Sequence, residues 1–408
     1  MGQIKLKISG KQVLADLRAG MDDAEIMAKY GLSAGGLLSV YRKLNEAGLM
    51  GEAELHERVN ELESTVDLDL TDSFVDGALQ QPSQKHGWKF RSGGWIFSTP
   101  AICGDAVVFG SWDGYLYSID RKSGRPNWKF STGDVVRCSP VISDDIVYFG
   151  GSDCWLRALY VMSGREIWRF RTGKEIWCSP AVGEGKVYFT STDGKLYAVD
   201  SLNGSLLWKF KIGGPAFSWV ESSPAVVGAT VFCGSHKGAL YAIDADSGKM
   251  RWQFDTRGPM DSSPAVTTGV VYVGSHEGNL YALDVEKGKE RWRFATGQSI
   301  YSRPAVANGM VFVGSTDGTL FAVDAETGRE RWKFERPNSV FSSPFVAGNV
   351  IYLGSSDHHI YAVDIRTGRE LWRFETGGQV FCAPTVSDGV IYFGSNDGSL
   401  YAMDEPTR

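Results

Sequence analysis

The sequence predicts an all-β main domain, an eight-bladed β-propeller of four-stranded antiparallel blades, preceded by a small all-α module. The main observation is a Trp-x-Phe tripeptide that recurs in steps of 40 residues, with one step of 44 between Trp208 and Trp252. Its tryptophans are Trp88, Trp128, Trp168, Trp208, Trp252, Trp292, Trp332 and Trp372. A period this regular is typical of one supersecondary unit copied in tandem.

Each copy contains four short runs rich in β-branched and aromatic residues, bounded by Gly, Asp and Ser. Asp-Gly between two apolar runs is typical of a hairpin, because glycine adopts positive φ without strain. We therefore predict four antiparallel strands per copy, named A to D in chain order. One such sheet leaves both faces uncovered, so we expect eight sheets to pack radially around a channel.

The two ends of the repeat region predict how the ring closes. The first element, Gly87 to Phe90, has the sequence of a D strand with no A, B or C strand before it. The last element, Phe381 to Asp404, supplies strands A, B and C with no D strand after it. We expect these ends to pair in blade eight, and we expect deletion of residues 84–92 to open the ring.

Composition and motifs predict neither catalysis nor a bound cofactor or metal. The chain has 42 Lys and Arg against 48 Asp and Glu, for a net charge of −6, and it lacks the clustered basic excess that binds nucleic acid. It contains no GxSxG, no HExxH, no phosphate-binding glycine loop and no CxxC pair. No apolar stretch has the length of a signal peptide or a membrane span, so we expect a cytoplasmic protein without membrane insertion.

The chain is expected to divide into a helical module at residues 1–62, an acidic linker at 63–83 and the propeller at 84–408. Helices are predicted from Gly10 to Arg18 and from the Asp22-Asp23 cap to Tyr30. The module resembles helix-turn-helix units in its apolar positions, which are Ile26, Met27, Tyr30, Leu32, Leu37 and Val40. The segment from Ser33 to Tyr41 lacks side chains that contact bases or phosphates, so protein docking or self-association is favoured over DNA binding.

Positions at which the copies differ are candidates for function. The residue three before the proline of strand A is expected at the channel mouth, and it is Phe97, Arg137, Trp177, Glu221, Asp261, Tyr301, Phe341 or Phe381. Blades six, seven, eight and one therefore supply an aromatic arc. Two interpretations remain open: the side chains plug the channel by packing together, or they form a shallow amphipathic binding site.

Further candidates for the same face lie in the D–A and B–C loops. Exposed aromatic residues in a cluster indicate an interface. Together with the ring above, the predicted partner-binding set includes Trp95, Trp112, Trp155, Phe217, Trp219 and Arg303. His236 and His276 occupy B–C turns of neighbouring blades, but no carboxylate pattern accompanies them in the sequence, so a metal site is not predicted.

The segment from Asp324 to Phe334, DAETGRERWKF, and the Leu-Tyr-Ala-Val-Asp run at Leu196 to Asp200 resemble the tryptophan-docking repeat of pyrroloquinoline-quinone-type (PQQ-like) propellers. The resemblance covers residues 84–404. It implies that each Trp packs between adjacent blades and that the Asp and Gly shape the C–D turn. Blade two departs from the pattern, with Arg157 and Tyr160 in place of Tyr and Asp.

The family that this resemblance indicates divides by function. Its large members are periplasmic quinone-dependent alcohol dehydrogenases with adjacent cysteines and calcium ligands in inserted loops, and this sequence has neither feature. Its small members are cofactor-free scaffolds that bind partner proteins, and the chain is similar to them in size. We therefore predict a non-enzymatic scaffold that binds a protein or peptide through the D–A and B–C loop face. The alternatives are a small-molecule- or quinone-binding enzyme or sensor at the channel mouth, and a DNA-binding regulator with a propeller sensor domain.

Overall fold

The computed structural model describes residues 10–19, 21, 23–30, 41, 44, 87–212, 222–256, 258–267, 269–336, 340 and 342–405. The chain forms two compact units, residues 1–81 and residues 82–408. The first unit contains helices α1 (Gly10–Arg18) and α2 (Asp23–Tyr30). Val13, Leu17 and Ile26 are buried there, and Lys29 Nζ lies 2.7 Å from Asp16 Oδ2.

Most of the remaining predicted module, from residue 31 to 62, and the linker at 63–83 lie outside the described residues. The helix-turn-helix assignment therefore stays a prediction. Among the residues that are described, no helix is long and apolar enough to cross a membrane.

The second unit consists of four kinds of strand, each occurring eight times. The A strands are β2 (Ala101–Cys103), β6 (Val141–Ser143), β10 (Ala181–Gly183), β14 (Ala225–Val227), β18 (Ala265–Thr267), β22 (Ala305–Ala307), β26 (Phe345–Ala347) and β30 (Thr385–Ser387). The B strands are β3 (Ala106–Gly110), β7 (Ile146–Gly150), β11 (Lys186–Ser191), β15 (Thr230–Gly234), β19 (Val270–Gly274), β23 (Met310–Gly314), β27 (Val350–Gly354) and β31 (Val390–Gly394).

The remaining two kinds complete each blade. The C strands are β4 (Tyr115–Asp120), β8 (Trp155–Tyr160), β12 (Lys195–Asp200), β16 (Ala239–Asp244), β20 (Asn279–Asp284), β24 (Thr319–Asp324), β28 (His359–Asp364) and β32 (Ser399–Asp404). The D strands are β1 (Gly87–Arg91), β5 (Pro126–Ser131), β9 (Glu166–Arg171), β13 (Leu206–Lys211), β17 (Met250–Asp255), β21 (Glu290–Ala295), β25 (Glu330–Glu335) and β29 (Glu370–Glu375).

The strands form eight four-stranded antiparallel sheets in the order A-B-C-D, which confirms the predicted eight-bladed propeller. The B and C strands are buried almost throughout, whereas the D strands alternate between exposed and partly buried residues. The core lies between blades. For example, Leu280 of blade five and Ile300 of the loop that leads to blade six pack in one cluster with Val311 and Val313 of blade six. Radial packing thus covers the faces that one sheet leaves open.

Blade eight closes the ring as predicted, because β1 pairs with β32 although more than 300 residues separate them. Trp88 lies opposite Ala402 and Lys89 opposite Tyr401. The Lys89 ammonium also lies 3.2 Å from Asp397 Oδ2 and 4.7 Å from the centre of the Tyr401 ring. The ring is therefore held by backbone pairing between the two ends of the domain.

The repeated tryptophans bridge neighbouring blades. Trp292 Nε1 donates a hydrogen bond to the backbone carbonyl of Ala325 in the next blade, at 3.1 Å. Gly328, in the C–D turn of that blade, lies against the indole, and a Cβ added to it would be 2.7 Å from Trp292 Cδ2. The same indole-to-carbonyl bond is made by Trp88, Trp128, Trp168, Trp208, Trp252 and Trp332. The packing that the family resemblance implies is confirmed.

The aspartates that end the C strands hold the C–D turns. Asp324 Oδ1 accepts hydrogen bonds from the Thr327 amide and hydroxyl, at 2.8 and 2.7 Å. The guanidinium of Arg331, which binds the other carboxylate oxygen, and then these Thr327 bonds hold the pKa of Asp324 below its ordinary value. Arg251 and Arg291 lower the pKa of Asp244 and of Asp284 in the same way.

These turn carboxylates predict acid sensitivity. Their pKa is lower in the folded protein than in the unfolded chain, so the stabilisation is complete above about pH 4 and is lost as the pH falls through the folded-state values. The melting temperature is expected to be level near neutrality and to drop below about pH 4. Asp324→Asn should make this drop smaller in a thermal-unfolding series. A melting temperature that rises on acidification would contradict the prediction.

The departure in blade two has a local explanation. In blades one, three, seven and eight a C-strand tyrosine donates its hydroxyl to the aspartate of the B–C turn, as Tyr361 does to Asp357 at 2.6 Å. In blade two Arg157 stands at the tyrosine position, is buried, and forms an ion pair with the equivalent Asp153. Arg157 Nε also lies 3.6 Å from Glu166 Oε2. The arginine therefore replaces the tyrosine as the partner of the turn aspartate.

Candidate functional site

A cavity of about 400 Å³ lies at the mouth of the propeller channel. It brings together these members of the predicted set: Phe97, Arg137, Trp177, Asp261, Tyr301, Arg303 and Phe381. Cys138 and four serines complete its lining, and the serines are Ser139, Ser179, Ser263 and Ser343. All of these residues lie in the segments that lead from a D strand into the next A strand, so the loops converge on one site.

A belt of serine hydroxyls explains the convergence. The residue before the strand-A proline accepts, through its hydroxyl, the amide hydrogen of the equivalent residue in the preceding blade. Thr99 donates to Ser139 at 2.9 Å, Ser139 to Ser179 at 3.1 Å, and Ser179 to Ser223 at 3.0 Å. Ser223 then donates to Ser263, at 2.9 Å. These bonds hold neighbouring A strands in register, so the side chains beside them meet at the mouth. We call this chain of bonds the serine belt.

One side of the cavity is aromatic. The rings of Phe97 and Phe381 stack with centres 5.4 Å apart, and Trp112 stacks on Phe97 at 5.0 Å. Trp95 lies 4.9 Å from Trp112. We call Trp95, Phe97, Trp112 and Phe381 the aromatic ledge. Trp95 and Trp112 remain 48% and 37% exposed, so the ledge packs against itself at the channel and still presents aromatic surface to solvent.

Two arginines also line the cavity. The guanidinium of Arg137 lies over the Trp177 ring, 5.3 Å from its centre. Arg303 reaches the water of the channel but is enclosed by protein on several sides, and this burial lowers the pKa of its guanidinium. Within the described part of the chain, Arg303 forms no ion pair. The cavity therefore combines aromatic walls with two arginines, the carboxylate of Asp261 and serine side chains.

The surroundings of His236 and His276 differ from the prediction, because the carboxylate of Asp261 contacts both. This carboxylate is buried and lies between two B–C turns, with Oδ2 3.0 Å from His236 Nδ1 and 2.8 Å from His276 Nε2. The expectation that no carboxylate accompanies these histidines is wrong, because Asp261 reaches them from a different loop. In the described residues, no group of His, Cys, Asp and Glu is arranged to hold a metal ion.

Trp155, a described member of the predicted set, is not among the lining residues of this cavity. Trp155 begins β8, and the guanidinium groups of Arg169 and Arg171 cover its ring at 4.8 and 5.6 Å. Four more members of the predicted set lie outside the described residues, namely Phe217, Trp219, Glu221 and Phe341.

The cavity also contains residues that sequence comparison between copies assigned to structure alone. Cys138 is one of them: its thiol binds the Gly150 amide at 3.0 Å, and burial raises its pKa to about 12. It therefore acts as a small buried side chain, as the serines at the equivalent position do. One feature of the sequence did mark this site. Arg303 occupies the position before the strand-A proline, where five other blades have a serine: Ser139, Ser179, Ser223, Ser263 and Ser343.

A second apolar surface lies at the opposite end of the strands, and the sequence analysis missed it. Its side chains come from the A–B and C–D ends of blades two to four. They are Met162, Leu202, Leu206, Leu207, Val227 and Met250. Met162 and Leu202 are 78% and 76% exposed, so these apolar side chains lie largely in solvent.

Comparisons with known proteins agree with the fold. Residues 77–170 and 113–264 match the family model of the outer membrane protein assembly factor BamB, and residues 218–407 match the β-propeller of beta-alanine-activating enzyme. A search of curated proteins gives no match. The chain is an eight-bladed β-propeller of PQQ-like repeats.

Several solved structures share this architecture. BamB from Moraxella catarrhalis is similar with a TM-score of 0.70 and 21% identity, over 79% of this chain and 99% of that one. The computationally designed Ika8 protein gives 0.69 and 19%, over 77% and 97%. The quinohemoprotein alcohol dehydrogenase of Comamonas testosteroni gives 0.66 and 17%, over 79% and 77%. At these identities the likeness establishes the fold alone.

Proposed function

We propose that this protein is a non-enzymatic scaffold that binds a partner protein or peptide through its D–A and B–C loop face. The aromatic ledge carries the proposal, because Trp95 and Trp112 remain exposed beside a concave site. Tryptophan and arginine are the residues that dominate the binding energy of protein interfaces, and both surround this cavity. The match to a family described as an assembly factor is consistent with protein binding.

The aromatic ledge can be tested with the double variant Trp95→Ala, Trp112→Ala. Both side chains are substantially exposed, so their truncation should leave the fold intact. We expect capture of the partner from an extract of the source cell to weaken at least about tenfold, since each interfacial tryptophan typically contributes about 2 kcal/mol or more. Immobilised full-length chain and quantitative mass spectrometry of the captured proteins provide the measurement.

The matched control is Met162→Ala, Leu202→Ala on the second apolar surface. It removes two exposed apolar side chains from the other face of the propeller, so capture should persist. Loss of capture by this control, with capture retained by the tryptophan variant, would move the binding face to the opposite side. Melting temperatures equal to that of the parent chain would exclude unfolding of either variant as the cause of lost capture.

The enzyme alternative is supported by the cavity itself and by the structural likeness to quinohemoprotein dehydrogenases. It predicts that pyrroloquinoline quinone with calcium changes the absorbance of the mixture and raises the melting temperature. The scaffold proposal predicts neither change. The DNA-binding alternative concerns residues 1–62 and predicts salt-sensitive duplex binding. The cytoplasmic location stays a prediction.

A further inference from the structure

Arg303 interrupts the serine belt. In the other blades that the belt joins, a serine hydroxyl receives the amide hydrogen of the preceding blade, whereas an arginine side chain has no acceptor. The backbone amide of Ser263 therefore finds no serine hydroxyl at this position of blade six, whereas the equivalent amides of other blades donate to one. Arg303 still donates its own amide hydrogen to Ser343 Oγ at 2.9 Å, so its backbone keeps the normal position. At this position only the side chain of Arg303 departs from the repeat, and its backbone does not.

The guanidinium of Arg303 lies in the cavity without an anionic partner among the described residues. Asp261, the carboxylate among the described residues that line the cavity, contacts His236 and His276. The Arg303 side chain lines the cavity and remains exposed to solvent, so its guanidinium is accessible to an incoming ligand. Its planar donors match a carboxylate in a two-point arrangement. An incoming carboxylate would therefore find a preformed partner.

The surroundings restrict what carries that carboxylate. Phe97, Phe381 and Tyr301 line the same cavity and offer apolar contact to a side chain next to the anionic group. A volume of about 400 Å³ is near the lower end for binding pockets, so it suits one end of a chain better than a segment that enters and leaves. The exposed rings of Trp95 and Trp112 continue the apolar surface outward from the cavity.

We propose that the channel mouth binds the C-terminal carboxylate of the partner polypeptide. Arg303 pairs with the carboxylate, the last side chain is apolar and packs on Phe97, Phe381 and Tyr301, and the preceding residues run over Trp95 and Trp112. This inference rests on the proposed function, since it names the part of the partner that the loop face receives.

The test uses the full-length protein and a library of labelled octapeptides with varied C-terminal residues. Each peptide is prepared with a free C-terminal carboxylate and as the amide, and 3-phenylpropionate serves as a free small carboxylate. We expect the selected peptides to end in an apolar residue and to lose binding on amidation. Arg303→Ser should weaken their binding about tenfold to hundredfold, as expected for loss of hydrogen bonds to a charged group.

Two further variants separate binding from folding. Arg303→Ser supplies the hydroxyl that the serine belt uses, so its melting temperature should equal or exceed that of the parent chain. Ala383→Ser adds a hydroxyl at the equivalent position of blade eight and leaves Arg303 in place, so it should bind peptides normally. Arg303→Lys keeps the charge without the planar donors, and we expect intermediate affinity.

The proposal is overturned if no peptide binds in a carboxylate-dependent way, if Arg303→Ser binds like the parent chain, or if 3-phenylpropionate binds as tightly as the peptides. The last result would identify a small-molecule carboxylate site. If the Trp95 and Trp112 variant loses the captured partner while Arg303→Ser retains it, the terminal-carboxylate inference fails and the scaffold proposal stands.

Discussion

Deletion of residues 84–92 is expected to unfold the whole propeller instead of loosening blade eight alone. The deletion removes β1, the D strand of blade eight, and with it every backbone bond between β1 and β32. It also removes Trp88, whose Nε1 donates to the Arg121 carbonyl of blade one at 2.9 Å and whose ring lies against Gly124. Blade eight then loses both its fourth strand and its contact with blade one.

The expected effect is large compared with the stability of a typical domain. Removal of one packed tryptophan alone typically costs about 3–5 kcal/mol, against a total of about 5–15 kcal/mol. We expect the deletion variant to melt far below the parent chain, or to be unfolded at room temperature, in calorimetry and in denaturant titration. A chain that lacks residues 1–81 retains β1 and controls for shortening of the N-terminus. Unchanged melting after deletion of 84–92 would exclude non-covalent ring closure.

The second large effect is expected from Gly328→Ala. Gly328 has a φ of +72°, so any other L-residue is strained there by about 1–2 kcal/mol. The new methyl would also meet the Trp292 ring, which packs on this turn from the preceding blade. Forcing the ring away adds about 1–3 kcal/mol, the typical cost of overpacking a well-packed site. We therefore expect about 2–5 kcal/mol of destabilisation.

Gly309→Ala is the matched control. Gly309 belongs to the same blade and has a φ of +71°, but nothing lies within 4 Å of its added Cβ. The Gly309→Ala variant should therefore lose only the stability that corresponds to the backbone strain. Denaturant-unfolding midpoints of the two variants, measured side by side with Trp fluorescence, isolate the contribution of the tryptophan contact. Equal destabilisation by the two substitutions would mean that the indole does not brace the turn.

Much of the fold follows from the repeat. The spacing of the tryptophans predicts eight blades, and the unmatched D strand at Trp88 predicts closure by pairing with the last C strand. Both are confirmed because they depend on strand periodicity and on local turn chemistry. The ring of variable residues before each strand-A proline was also accessible from the sequence, since equivalent positions in a closed ring face the same axis. Phe97, Arg137, Asp261 and Tyr301 accordingly line one cavity.

Other features of the site depend on contacts between loops of different blades. Asp261 comes from a D–A loop, while His236 and His276 come from two B–C turns, and no single stretch of sequence contains the set. Trp155 was predicted to be an exposed aromatic residue of the interface. In the structure, Arg169 and Arg171 of the neighbouring D strand cover its ring. The second apolar surface likewise combines side chains from three blades, such as Met162, Leu202 and Met250.

By itself, the sequence determined the number of blades and their strand order, because both are set by periodicity and by short-range turn geometry that every copy repeats. The packing role of the indoles was implied by the family resemblance. The tertiary structure alone decided which variable side chains meet, which of them a neighbour covers, and that the residues before the strand-A prolines form a hydrogen-bonded belt. The physical reason is that packing across blades joins residues about 40 positions apart, where side-chain direction and enclosure are set by the partner surface and not by local sequence.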